Sequence, residues 1–258
     1  MKASESNPNY PSKVREMTNY TIREIKKVCK DIGPRPSGEE NERKAQDYVA
    51  DSMSKVADSV VKEKFELHPK AFMGWVPLDV ILMTISIVLT LLSYFDVLPS
   101  ASTAFSVVSV VLTSLAIIFT FFEFLLYKKF LDPFFPKRET YNVVCTRKAA
   151  GETKRRIVFS GHIDSAYEWY FTHLGGGKLL TTMIALAFGA IAITLAASIV
   201  SFFDVPNGVR VTAIVVLFVC LIPILMCSMF VNWQLCVPGA NDNLTGAFAS
   251  MSVFRSMA

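Results

Sequence analysis

Two short stretches carry residue types that bind metal. Gly161-His162-Ile163-Asp164 offers an imidazole and, two residues on, a carboxylate. Pro238-Gly239-Ala240-Asn241-Asp242-Asn243 offers a second carboxylate in a Gly- and Asn-rich turn. A neutral histidine nitrogen is a zinc ligand, and a nearby carboxylate can hold that ring in one tautomer and orientation. His162 is therefore a candidate ligand, Asp164 its orienting residue, and Asp242 a carboxylate able to bind or bridge cations. Each has a structural alternative. A strand-end histidine can be satisfied by local hydrogen bonds, and Asn-Asp-Asn suits an Asx turn or a helix N-cap.

The flanking elements give these residues their place. Residues 156–160 (RIVFS) read as a strand leading into His162, and a helical run begins near Leu244. Side chains at the exit of a buried strand lie where open α/β sheets build their sites. Upstream, residues 12–32 show an apolar stripe at helical spacing, including Val14, Met17, Ile22, Ile25, Val28 and Ile32, stopped by Gly33-Pro34. Ser37-Gly38-Glu39-Glu40 reads as a capping box opening a second helix with Ala45, Tyr48, Val49 and Met53 inward. Residues 60–67 alternate as a strand with Val61, Phe65 and Leu67 on one face, and 141–147 form another.

Four apolar blocks separate these pieces: 78–95, 104–127, 179–203 and 209–231. Each approaches or exceeds the roughly 20 residues needed to cross a bilayer. Short linkers at 96–103 and 204–208 join them into two helical hairpins. All longer polar segments then share one side. Lys70, Lys128, Lys129, Lys137, Arg138 and Lys178 flank that side and Arg210 alone the other, so the polar side is expected in the cytoplasm. Asp79 and Glu123 lie near block ends, where a charge can snorkel to the interface. The polar residues 1–70 are no signal peptide.

Five cysteines form no Cys-x-x-Cys pair and read as small apolar residues. A formal charge of +4, spread over 258 residues, gives no nucleic-acid footprint. The organisation expected is a cytosolic domain interrupted twice. Its parts are 1–75, a membrane hairpin at 76–128, strands and the His-x-Asp motif at 129–177, a second hairpin at 178–232, and the Asp242 loop with its helix at 233–258.

Several of these pieces, taken in order, resemble the M28 family of zinc peptidases, the aminopeptidase and glutamate-carboxypeptidase-like group. They are Ile32-Gly33-Pro34-Arg35-Pro36-Ser37-Gly38 with Asn41 to Tyr48 behind it, Tyr141-Asn142-Val143-Val144, residues 157–164 and residues 238–246. The resemblance implies an α/β fold, a partial M28-type mixed sheet with helices, interrupted here by four transmembrane helices. It implies that His162 ligates one zinc, that Asp164 holds His162, and that Asp242 bridges two zinc ions. The implied activity is exopeptidase cleavage of a peptide substrate, of aminopeptidase type, by metal-activated water. The family also uses a Glu-Glu pair further along, one as general base, and then a later acidic residue and a histidine. Here no Asp, Glu or His follows Asp242. The expectation is an N-terminal portion of a multi-pass membrane peptidase, inactive alone. The alternatives are a catalytically dead membrane scaffold of the same ancestry and a small four-helix transporter.

Overall fold

The computed structural model describes residues 9–257; residues 1–8, the start of the polar N-terminal segment, and Ala258 lie outside it. The protein is mostly helical, in the order α1 (Tyr10–Asp31), α2 (Glu40–Met53), β1 (Ser59–Leu67), α3 (Ala71–Tyr94), α4 (Ser102–Phe119), β2 (Arg138–Thr146), β3 (Tyr167–Trp169), α5 (Tyr170–Val200), α6 (Asn207–Met226), β4 (Val231–Cys236) and α7 (Thr245–Ser256). The chain forms two compact units. One comprises Met1–Pro69, Lys137–Glu168 and Trp233–Ala258; the other comprises Lys70–Pro136 and Trp169–Asn232.

In the first unit, α1, α2 and α7 bury their apolar stripes together. Val28, Met53, Leu244, Phe248 and Met251 form the centre, with Ile25, Tyr48, Val49 and Ile163 packed around it. β1 and β2 pair antiparallel, with Val60 opposite Cys145 and Leu67 opposite Arg138. Val60 and Cys145 are the strand residues that reach this core. Side chains alternate along a strand, so Val61 and Phe65 share the opposite face, as expected, and that face is exposed. Gln46 donates to Thr140, whose hydroxyl donates to Glu42, tying α2 to β2. Glu42 is buried, and desolvation pushes its carboxyl above the usual range despite those hydrogen bonds.

The expected mixed sheet is not present among the described residues. The strands form two two-stranded sheets, β1–β2 and β3–β4. Residues 156–160 are irregular, with Ile157 and Val158 66% and 79% exposed. An apolar run becomes a strand only when another strand accepts its backbone hydrogen bonds, and none lies beside this one.

The second unit holds four helices long and apolar enough to cross a membrane: Ala71–Tyr94, Pro99–Leu125, Tyr170–Val200 and Asn207–Met229. Their windows have mean hydropathy 2.2–2.8, yet only 22–50% of each is buried within the protein. The remaining apolar surface, such as Ile85, Val111, Val215 and Ile222, is what a bilayer would cover. The third span starts earlier than its apolar block. The aromatic turn at Tyr170 is already helical, and the axis breaks at Gly175–Gly176, where Gly176 has φ 63°.

Hydroxyls join these helices. Ser86 meets Ser109 and Thr113 at 2.6 Å, Thr90 meets Ser109 and Ser198, and Ser106 meets Ser93 and Ser201. Small hydroxyl residues let helix backbones approach and bond to one another where water is absent. Asp79 and Glu123 are not interfacial anchors, as their positions near block ends predicted. Both are more than 90% buried. Thr120 donates to Asp79 at 2.7 Å, and the Leu131 backbone N–H donates to Glu123 at 2.6 Å.

Candidate metal centre

His162 and Asp242 lie 80 residues apart in sequence, and the fold of the first unit brings them together. The His162 Nε2 stands 3.3 Å from Asp242 Oδ1, and its Nδ1 stands 3.0 Å from Asp164 Oδ1. With Nδ1–H donating to Asp164, Nε2 keeps its lone pair and faces a second acceptor on Asp242. Two acceptors pointed at each other call for a cation or a proton between them. The side chains of His162 and Asp242 are 53% and 77% exposed, so solvent and solutes reach them.

Sequence reasoning missed two residues that build this arrangement. Ser37 is no helix cap: Glu39 holds the cap position of α2, without a side-chain cap bond. The Ser37 hydroxyl instead donates to Asp164 Oδ2 at 2.6 Å, so both oxygens of Asp164 are engaged and its plane is fixed. Arg35 is completely buried. Its Nε donates to the Ile163 carbonyl at 2.7 Å and its Nη2 to the Pro238 carbonyl at 2.9 Å, one loop on each arm. The Arg35 backbone N–H donates to Ser165 Oγ, and the Ser165 N–H donates back to the Arg35 carbonyl. The planar guanidinium thus clamps the His162 loop to the Asp242 loop. Burial holds this guanidinium below its usual pKa, opposed by the nearby Cys29, Cys236 and Asp164. The only sequence signal for either residue was membership in the Ile32–Gly38 stretch.

Two glycines permit the close approach. Gly239 has φ +62°, and a Cβ there would meet Ser165 Cβ at 2.6 Å and Arg35 Nη2 at 2.9 Å. A Cβ on Gly161 would meet the Ala247 backbone nitrogen at 2.5 Å. Gly239→Ala is therefore expected to cost about 2 kcal/mol or more, from left-handed strain plus the clash with the clamp. Thermal unfolding in detergent checks this, and an unchanged midpoint would show that the two loops are not packed this closely.

Asp242 does not cap the final helix. Leu244 holds the cap position, Asn243 Oδ1 accepts the Gly246 N–H of the first turn at 3.0 Å, and the Asp242 carboxylate is left for His162. Among the described residues, no three His, Cys, Asp or Glu side chains converge as a complete metal-binding group. Cys236 lies near Ser165, 3.2 Å between Sγ and Oγ, and burial raises its thiol pKa, which disfavours the metal-binding thiolate. No known protein family, curated protein or solved structure matches the chain.

Proposed function

We propose that the chain carries part of the metal site of a membrane-bound, zinc-dependent exopeptidase, of aminopeptidase type. The single observation behind this reading is the meeting of His162 Nε2 and Asp242 Oδ1 at 3.3 Å, with Asp164 holding the far side of the ring. Two ligand atoms, each about 2.05 Å from one zinc at a tetrahedral angle, stand roughly 3.3 Å apart. The donor chemistry also fits: a neutral imidazole and a carboxylate are ordinary zinc ligands. His162 and Asp242 would hold the metal, Asp242 bridging to a second ion in a two-zinc site. Asp164 fixes the His162 tautomer, and Ser37 fixes Asp164. When bound, zinc supplies Lewis-acid activation of water and of a scissile carbonyl.

The chain's own donors stop short of a full site. Hydrolysis needs a base for the proton of the attacking water, and no Asp, Glu or His follows Asp242. The 258-residue chain is therefore expected to show no measurable cleavage of an aminoacyl-coumarin amide, while still taking up zinc weakly through His162 and Asp242. Robust, chelator-sensitive cleavage by this chain would overturn the incomplete-site reading. The second reading, a catalytically dead scaffold of the same ancestry, is favoured by the lack of a third converging donor among the described residues. Zinc uptake that depends on His162 separates the two.

The reading also places the metal site on the cytoplasmic side. In a cysteine-free background, Ser100→Cys and Asn207→Cys at the hairpin tips should react with an impermeant maleimide added to intact cells. Lys55→Cys, exposed in the first unit, should react only after lysis. Reaction of all three in intact cells would reject the double-hairpin topology.

A further inference from the structure

An open cleft of about 360 Å³ lies on the first unit, lined by residues of α1, of α2 and its C-terminal end, and of α7. It shares no residue with the metal-centre reading. Tyr20 and Glu24 line its inner side and are 9% and 6% exposed. Four cations line it as well: Arg23 and Lys27 from α1, Lys55 just beyond α2, and Arg255 from the last turn of α7. Glu24 and Asp51 are the carboxylates of the lining, so four cations against two carboxylates leave a charge of +2. Aromatic rings hold three of the cations. Lys27 Nζ stands 4.7 Å from the centroid of the Tyr48 ring, and the Arg23 and Arg255 guanidinium carbons stand 5.3 and 4.8 Å from that of Tyr20.

A ring face stabilises a cation without neutralising it. Glu24 is already committed: its Oε1 faces the Arg23 guanidinium at 3.0 Å, and its Oε2 accepts the Tyr48 hydroxyl. Among the described residues, no ion pair involves Lys27, Lys55 or Arg255. Lys55 and Arg255 offset the carbonyl ends of α2 and α7. Arg23 and Lys27 lie before the last turn of α1 and have no such task, and like charges one turn apart on a helix repel. An anion in the cleft relieves that repulsion. Ser52 Oγ and Tyr20 Oη, 3.5 Å apart, add two hydroxyls able to donate to it. The charge of +2 selects among anions. A carboxylate or a phosphodiester brings one negative charge, and a phosphomonoester brings nearly two at pH 7. Its three terminal oxygens accept charge-assisted hydrogen bonds from an arginine fork and from ammonium groups. The volume lies in the range of about 300–1,000 Å³ typical of small-molecule sites, room for the phosphate and a small body attached to it.

We propose that this cleft is a binding site for a phosphomonoester dianion on a small polar body, held by Lys27, Lys55 and Arg255 with Arg23 beside them. A free organic phosphate and the headgroup of a phosphomonoester lipid share that chemistry. The site does not depend on the metal-centre reading.

The test titrates the full chain, in phosphatidylcholine nanodiscs, with glycerol 3-phosphate and with glycerophosphoglycerol, a phosphodiester of single charge. Phosphorus NMR reads the binding. Glycerol 3-phosphate is expected to bind saturably and at least about tenfold tighter than the diester. Lys27→Gln, Lys55→Gln and Arg255→Gln should each weaken it several-fold. Lys27 and Lys55 are exposed, so their loss leaves the fold intact. Lys30→Gln removes the same charge from an exposed position of α1 outside the cleft and should leave the affinity unchanged. A second arm identifies the source. Phosphatidic acid placed in the nanodisc presents the same monoester on a lipid, and phosphatidylglycerol in equal amount is its diester control. Competition with glycerol 3-phosphate by phosphatidic acid alone assigns the site to a lipid headgroup; undiminished binding assigns it to a free phosphate. Non-saturable binding, a diester held as tightly as the monoester, or equal losses in Lys30→Gln and Lys27→Gln would each overturn the proposal.

Discussion

Arg35→Met is expected to be the most damaging single change in the first unit, lowering its stability by about 3–5 kcal/mol. The side chain is completely buried and bonds to the carbonyls of Gly33, Ile163 and Pro238. Methionine fills much of the space but donates nothing, so three part-buried carbonyl acceptors lose their partner at once. Arg35→Lys should recover less than half of the loss. A flexible ammonium cannot reach three carbonyls laid out for a planar fork. Hydrogen exchange localises the effect: amides of residues 161–165 and 239–244 should exchange faster together in Arg35→Met. Acceleration in one loop alone would show that Arg35 supports that loop and does not join the two.

The second large effect concerns metal. Titrated with Zn²⁺, or with Co²⁺ as a spectroscopic probe, the wild-type chain should bind weakly and His162→Ala should bind nothing above background. Asp242→Ala should behave the same way, because neither donor alone holds an ion. Asp164→Asn should weaken binding by roughly 10–100-fold, because an amide can present its NH₂ to Nδ1 and favour the wrong tautomer. Ser37→Ala should weaken it about fivefold, the value of one hydrogen bond near 1 kcal/mol. The order His162 ≈ Asp242 > Asp164 > Ser37 is the signature of two ligands, an orienting carboxylate and its support. Equal zinc uptake by wild type and His162→Ala would end the peptidase reading and leave the scaffold.

Much of this protein is written locally in its chain. An apolar run of about twenty residues is a property of the sequence itself, so all four spans were legible, although the first and third begin before their apolar blocks, at Ala71 and Tyr170. The stripes of α1, α2 and α7 and the strands β1 and β2 were legible for the same reason, but not that these two strands pair. The hydroxyl ladder was not read from the sequence: Ser86, Thr90, Ser106 and Ser109 gain their meaning only from the contacts between helices, including those to Ser198 and Ser201 on α5. His162, Asp164 and Asp242 stood out by residue type, before any geometry was known.

What the sequence left open is everything that depends on a partner distant along the chain. Residues 156–160 have strand composition, but a strand exists only where another strand lies beside it. Ser37 has the local chemistry of a cap, and tertiary packing gave its hydroxyl to Asp164, 127 residues away. Arg35 sits between two prolines with nothing local to mark it as buried, and its burial follows from two loops folding over it. Asp79 sits near the end of an apolar block, and the rotation of α3 against Thr120 turned it inward. Local propensity chose the elements and the residue types able to bind metal. Tertiary packing decided which of those residues meet, because a hydrogen bond or a shared ligand position is set by distance in space and not by spacing along the chain.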